Sequence, residues 1–195
     1  MLRHLPWLAL ILAFPGCDED SDGSRRPRSR PGPQRLELAG VEAEVPADWE
    51  PLPRATRDRL MAAATQRDPG AQVALEGARP PGAPVGLALM HVRHDPAYGE
   101  GFPVSEAATD AEDLVRLAAQ ARGIEVESEH SCAERSCDIA YTLEGPGLVT
   151  TSYLRIWRDG GRLVEVGCQC MKTPEVDACA IPCELPMAPA SATLD

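Results

Sequence analysis

Residues 124–170, IEVESEHSCAERSCDIAYTLEGPGLVTTSYLRIWRDGGRLVEVGCQC, hold the reading that decides the fold. Within them, 124–128, 138–143, 148–157 and 162–170 are rich in Val, Ile, Leu, Thr and Tyr, and short polar or Gly-bearing breaks separate them. Runs of that length and composition read as strands, and breaks this short allow only tight reversals, so the four form an antiparallel meander. The last reversal, Asp159-Gly160-Gly161, carries glycines where a hairpin turn needs positive φ. Side chains alternate across a strand, which puts Glu125, Glu127 and Glu129 on one face. Such a row suits a basic partner, against the ordinary reading of a solvated sheet face.

Working upstream, Leu36, Leu38, Val41, Ala43 and Val45 alternate with Glu37, Glu42 and Glu44, a half-buried strand pair turning at Gly40. Pro46-Ala47-Asp48-Trp49 ends the second strand, and Trp49 is large enough to plug one end of a core. Residues 55–66 are strong helix formers that stop at Asp68-Pro69-Gly70. Strands are expected at 72–76 and 85–92, followed by a loop over 93–108 with two prolines and two glycines. A helix is expected at 110–122, with Thr109 as N-cap, Glu112 closing a capping box, and Leu114, Leu117, Ala118 and Ala121 as its buried stripe. Gly123 supplies its left-handed stop. The sum is an α+β fold, an antiparallel β-sheet meander with helices packed on one face, and the length suits one domain.

The chain's start gives its address. An apolar run over 5–14 follows Arg3 and His4 and leads through Phe14-Pro15-Gly16-Cys17 into Asp18-Glu19-Asp20. That run is too short to cross a bilayer, which takes about 20 apolar residues. A basic start, a brief apolar core and a small residue before the break match a cleaved export signal over 1–16. The segment resembles the lipobox of bacterial lipoproteins. The resemblance implies acyl chains such as palmitate on Cys17, anchoring the protein to the inner or outer membrane with its domain facing the periplasm or the exterior. Asp18 beside Cys17 favours the inner membrane where a retention rule of that kind operates.

Residues 17–35 then read as anchor and disordered tether, with an acidic start at Asp18, Glu19, Asp20 and Asp22 and the later arginines Arg25, Arg26, Arg28, Arg30 and Arg35. Asp18-Glu19-Asp20-Ser21-Asp22-Gly23 copies half of a calcium loop. Arg26 and Ser29 stand where its later ligands belong, so that site is rejected. The domain is placed at 36–187, with a disordered tail at 188–195. The formal net charge is −11 for the whole chain. It is more negative past Arg35, because six arginines and only four acidic residues precede the domain. Such a domain repels nucleic acid rather than binding it. The chain has no asparagine, so it carries no N-glycosylation.

The strand ending in Pro46-Ala47-Asp48-Trp49, a capped helix before a meander, and a Cys-bearing last strand with a short terminal segment resemble the PsbP-like fold. The resemblance covers about residues 36–187 and implies an α+β sandwich without catalytic residues, acting as a binding or assembly scaffold for a protein partner in the cell envelope.

Six cysteines lie beyond Cys17: Cys132, Cys137, Cys168, Cys170, Cys179 and Cys183. An even number in an exported chain reads as three disulfides. Cys132 and Cys137 flank a polar hairpin tip and close it locally. Cys168 and Cys170, two apart on a strand, share a face and reach instead toward Cys179 and Cys183, which leaves two pairings open. The rival reading makes Cys132, Cys137 and His130 a metal or thiol centre, although no zinc-ribbon or Cys-x-x-Cys spacing is present. His91 and His94, three apart at a strand end, read as a surface pair. The loop after them offers His94, Asp95, Tyr98, Glu100 and Phe102 as contact residues. No Gly-x-Ser-x-Gly, His-Glu-x-x-His or phosphate-binding Gly loop occurs, so no enzyme and no cofactor is expected.

Overall fold

A computed structural model describes residues 32–83, 86–98, 100–101 and 103–194. The expected signal, Cys17 and the expected tether up to residue 31 lie outside the described residues, as do Val85 and Phe102. Among the described residues ten strands and two α-helices follow in the order β1 Gln34–Leu38, β2 Val41–Val45, β3 Glu50–Pro51, α1 Arg54–Arg67, β4 Gln72–Arg79, β5 Leu87–Arg93, α2 Val104–Gln120, β6 Glu125–Cys132, β7 Cys137–Gly145, β8 Leu148–Asp159, β9 Arg162–Lys172 and β10 Cys183–Glu184, with a 3-10 turn Ala178–Ala180 before β10. The result is a mixed α+β fold made mostly of antiparallel sheet. Seven strands form one sheet in the order β3-β4-β5-β9-β8-β7-β6, and β1-β2-β10 form a second.

The meander stands where the sequence puts it, with longer strands. Asp159 pairs with Arg162, leaving Gly160 and Gly161 as a two-residue turn with φ of 55° and 79°. Backbone twist in such a turn matches that of the flanking strands. Cross-strand partners share a face, so the register sorts the large sheet into two sides. Leu75, Met90, Val92, Leu163, Ile156, Leu154, Ile139, Tyr141 and Leu143 point toward the helices. Leu87, Leu89, Val164, Val166, Cys168, Cys170 and Trp157 point outward, beneath Val41, Ala43 and Val45 of the small sheet. Trp49 joins this outer core and is buried there.

Three expectations are corrected. Helix α2 begins at Val104, so 104–108 is helix rather than loop. Pro103, with φ fixed at −58°, precedes a run of residues that continue the helix without a break. Thr109 is therefore interior, its hydroxyl bonded back to the Ser105 carbonyl at 3.1 Å, and caps nothing. The buried stripe is Val104, Ala108, Ala111, Val115 and Ala119, with Ala118 of the expected stripe partly buried against the same core. Leu117 is 59% exposed and Ala121 lies past the helix end, while the Leu114 side chain is outside the description. Gly123 does take the left-handed stop, at φ 68°.

The domain also begins earlier and ends later than 36–187. Gln34 and Arg35 are strand residues; the Gln34 side chain donates to the Ala47 and Trp49 carbonyls, and Arg35 pairs with Glu42. At the other end, Ala192 is buried and Arg158 and Thr193 exchange backbone hydrogen bonds. Strand β7 stops opposite Ile156, which leaves the flank of Arg158 open for Thr193 to fill.

A close approach in the middle of the sheet gives one test of this packing. A Cβ on Gly167 meets the Tyr153 carbonyl oxygen at 2.4 Å and Leu154 Cδ2 at 2.5 Å. Gly167→Ala is expected to cost about 2–3 kcal/mol, because backbone must move to admit the methyl. A urea titration with an unchanged slope and a lowered midpoint checks it.

Candidate functional site

Chemistry-bearing side chains gather in two places, one buried and one open. The buried group is built on the end of β5. His94, 3% exposed, holds Asp68 through Nδ1 at 3.0 Å and Glu165 through Nε2 at 3.1 Å, and Tyr98 stacks on its ring at 4.3 Å between centroids. Asp68 stands just past α1, where its carboxylate also accepts from the Gly70 and Asp95 amides. Burial pushes the His94 imidazole pKa down, but Glu165 and Asp68 outweigh it and hold the ring above its ordinary value. An imidazolium with a carboxylate on each nitrogen has no lone pair for a metal or a proton. The group therefore acts as a pin between the end of α1, the end of β5 and β9.

That arrangement overturns the surface pairing of His91 with His94. His91 lies within β5, its pKa lowered by burial and then by Arg93. It also turns the loop inward. Asp95 caps its own turn by accepting from the Ala97 amide at 2.9 Å, and Tyr98 is partly buried on His94. Of the expected contact residues, Glu100 is exposed and Phe102 is outside the described residues.

The cysteines pair as Cys132–Cys137, Cys168–Cys183 and Cys170–Cys179. Cys168 and Cys170 reach the terminal segment from one face, and the register selects between the two pairings left open by sequence. Three bridges in one domain mark an oxidising, extracytoplasmic environment. Cys132 and Cys137 are consumed in their bridge, and His130 Nδ1 meets Glu112 of α2 at 2.6 Å. Those three residues thus offer no thiolate in the oxidised protein. Among the described residues no three His, Cys, Asp or Glu side chains converge on a metal position.

The helix-facing side also carries a polar row that strand alternation alone does not single out. Tyr141, Ser152 and Gln169 are register neighbours across β7, β8 and β9, all buried. Burial pushes the Tyr141 hydroxyl pKa up, beyond any physiological titration.

The open group lies on the outward side of β6, β7 and β8, beyond the small sheet. Its rows run Glu125–Glu144–Val149, Glu127–Thr142–Thr151, Glu129–Ala140–Tyr153 and Ser131–Asp138–Arg155. Glu125, Glu127, Glu129 and Glu144 are exposed, and Tyr153 keeps 47% of its surface in water. Arg155 is committed: it forms a bidentate pair with Asp138 at 2.6 and 2.8 Å and donates to the Pro186 carbonyl, and its guanidinium pKa is raised chiefly by the Asp138 hydrogen bond. A groove of about 410 Å³ opens here, walled by Glu129, Ala140, Tyr153, Arg155, Cys183 and Leu185. Sequence reading found the glutamates and missed Tyr153 and Arg155. The signal was the alternation of β8, which puts both on the glutamate side. No described helix is long and apolar enough to cross a membrane. No protein-family model and no curated protein matches the chain.

Proposed function

We propose that this chain is a lipid-anchored envelope protein whose domain works by binding rather than by catalysis, and that its docking face is the open side of β6, β7 and β8. The observation that carries the reading is the groove beside exposed Tyr153 on a sheet face that the small sheet leaves bare. Monomeric domains ordinarily cover or charge such faces, and a groove with an exposed aromatic and convergent polar groups is where partners dock. The anchor part of the reading rests on Cys17 and the tether before it reaches the domain, and the oxidising compartment supports it. The PsbP-like likeness belongs to the same reading, supported by the antiparallel meander, the helices on one face and the strand β2 that leads into Pro46-Ala47-Asp48-Trp49.

The test is photo-crosslinking in the native envelope, with a photoreactive amino acid replacing Tyr153 in one strain and Glu100 in another. A discrete adduct from position 153 that is missing from position 100 is the expected result, together with acyl mass on the Cys17 peptide. Adducts from position 100 alone would return the contact to the loop. An unmodified Cys17 would remove the anchor.

A further inference from the structure

We propose that the occupant of this face is an extended, Arg- or Lys-rich segment of a partner protein that adds to β6 as an eighth strand. The proposal rests on the docking face named above and states what it binds. Strand β6 is last in the order of the large sheet, so among the described residues its outer edge pairs with no strand. An edge of eight residues offers a peptide its main-chain hydrogen bonds, and alternate side chains then decide which peptide fits. On the outward side those positions meet Glu125, Glu127 and Glu129, close enough for direct cross-strand pairing with a cation at every second residue.

Charges on an edge strand also serve to keep it unpaired. Here the charge does not stop at the edge. Glu144 on β7 continues the row of Glu125, and Tyr153 on β8 continues the row of Glu129, where no edge needs blunting. At the Glu129 end the groove places a carboxylate and the Tyr153 ring around one space, which suits a guanidinium or ammonium that pairs with the first and stacks on the second. Arg155 does not compete for that carboxylate, because Asp138 and the Pro186 carbonyl occupy it.

On the helix side of β6 the charges are mixed, for Arg116 of α2 is paired with Asp113 and Glu112 meets His130. Arg116 also donates to Ser128 at 3.0 Å, so the intervening positions of an added strand meet no row of free carboxylates like that on the outward side. The segment therefore needs basic residues at alternate positions only, the ones that share a side with Glu125, Glu127 and Glu129. A second copy of this acidic chain brings glutamates against glutamates and is disfavoured. The chain's own Arg25, Arg26, Arg28 and Arg30 precede β1, which packs over β4 and β5 at the far side of the large sheet from β6.

The experiment uses the full-length oxidised protein in detergent and two fluorescent peptides of identical composition, Arg-Thr-Arg-Val-Arg-Thr-Arg and the block arrangement Arg-Arg-Arg-Arg-Thr-Val-Thr. Anisotropy at two salt concentrations reads affinity, and amide hydrogen exchange reads protection along β6. The alternating peptide is expected to bind more tightly than the block peptide and to slow exchange in β6. Its affinity is expected to fall about tenfold in the triple variant Glu125→Gln, Glu127→Gln, Glu129→Gln and about fivefold in Tyr153→Ala. These positions are exposed, and circular dichroism confirms an unchanged fold.

Equal binding of both peptides without protection of β6 means general attraction between opposite charges and overturns the proposal. So does full affinity in the triple variant. Protection of β6 that is present without peptide and lost when the four tether arginines become Gln names the tether as occupant instead. Protection that rises with protein concentration alone names a second copy, and both results overturn the proposal. Crosslinks from position 153 that persist while neither peptide binds leave the docking face standing and refute only the basic strand.

Discussion

His94→Ala is expected to destabilise the domain by about 3–5 kcal/mol, since it removes the one cation between two carboxylates that remain buried. Asp68 and Glu165 are 5% and 2% exposed, and Glu165 Oε2 already lacks a hydrogen-bond partner within the protein. A loss of that size lowers the melting temperature on the order of 10 °C for a domain of this length. The pH dependence has a definite sign. The His94 pKa is raised on folding, so its contribution is fully present below the unfolded imidazole value of about 6.5 and fades as pH rises through the higher folded value. Denaturation midpoints between pH 6 and pH 9 should fall with rising pH for the native sequence more steeply than for His94→Ala. Parallel curves would show that the ring is not charged in the fold. The groups around it are Asp68 and Glu165 on its two nitrogens, Tyr98 on its face and Asp95 beside it.

Opening both Cys168–Cys183 and Cys170–Cys179 is expected to cost at least as much. The bridges close loops with sequence separations of 15 and 9, each worth about 3 kcal/mol in the chain-entropy account. Their sum lies within the lower part of the total stability of ordinary domains, about 5–15 kcal/mol. The loss is concentrated, because the bridges hold the segment after β9 over Val164, Val166 and Trp157. Under reductant, thermal unfolding should move down by on the order of 10–20 °C. Hydrogen exchange should first rise in 173–194 and in β2, which pairs with β10. A melt indifferent to reductant would mean that the terminal segment holds by packing alone. Cys132–Cys137 joins directly paired residues of one hairpin, and its removal should do less.

The parts of the fold that were legible are those governed by local pattern. The meander announced itself through alternation and tight breaks, and the sharing of a face by Cys168 and Cys170 followed from a period of two. Helix α2 was misplaced because its first turn adjoins a Gly- and Pro-bearing loop, while Thr109 and Glu112 imitate a cap farther in. Glu112 is instead turned toward His130 across the helix–strand contact. Nothing near His94 in sequence marks it as buried, for its partners are 26 and 71 residues away. Tyr153 was obscured for the opposite reason: an aromatic within a strand is ordinarily core, and only the limited width of the small sheet leaves it in water.

The small sheet joins the two ends of the domain, with β2 from its beginning hydrogen-bonded to β10 near its close. A polypeptide that leaves an export channel N-terminus first delivers β1 and β2 early and β10 last. Closing so long an interval carries a large entropic cost before any contact rewards it. Until Cys183 emerges, the cover over Leu87, Leu89 and Val166 rests on β1 and β2 without β10 and its bridge. Completion of the layer is thus vectorial: the chain must emerge as far as Cys183 before oxidation can lock the domain, and a chain stalled short of it would present an incompletely closed apolar layer to chaperones and proteases.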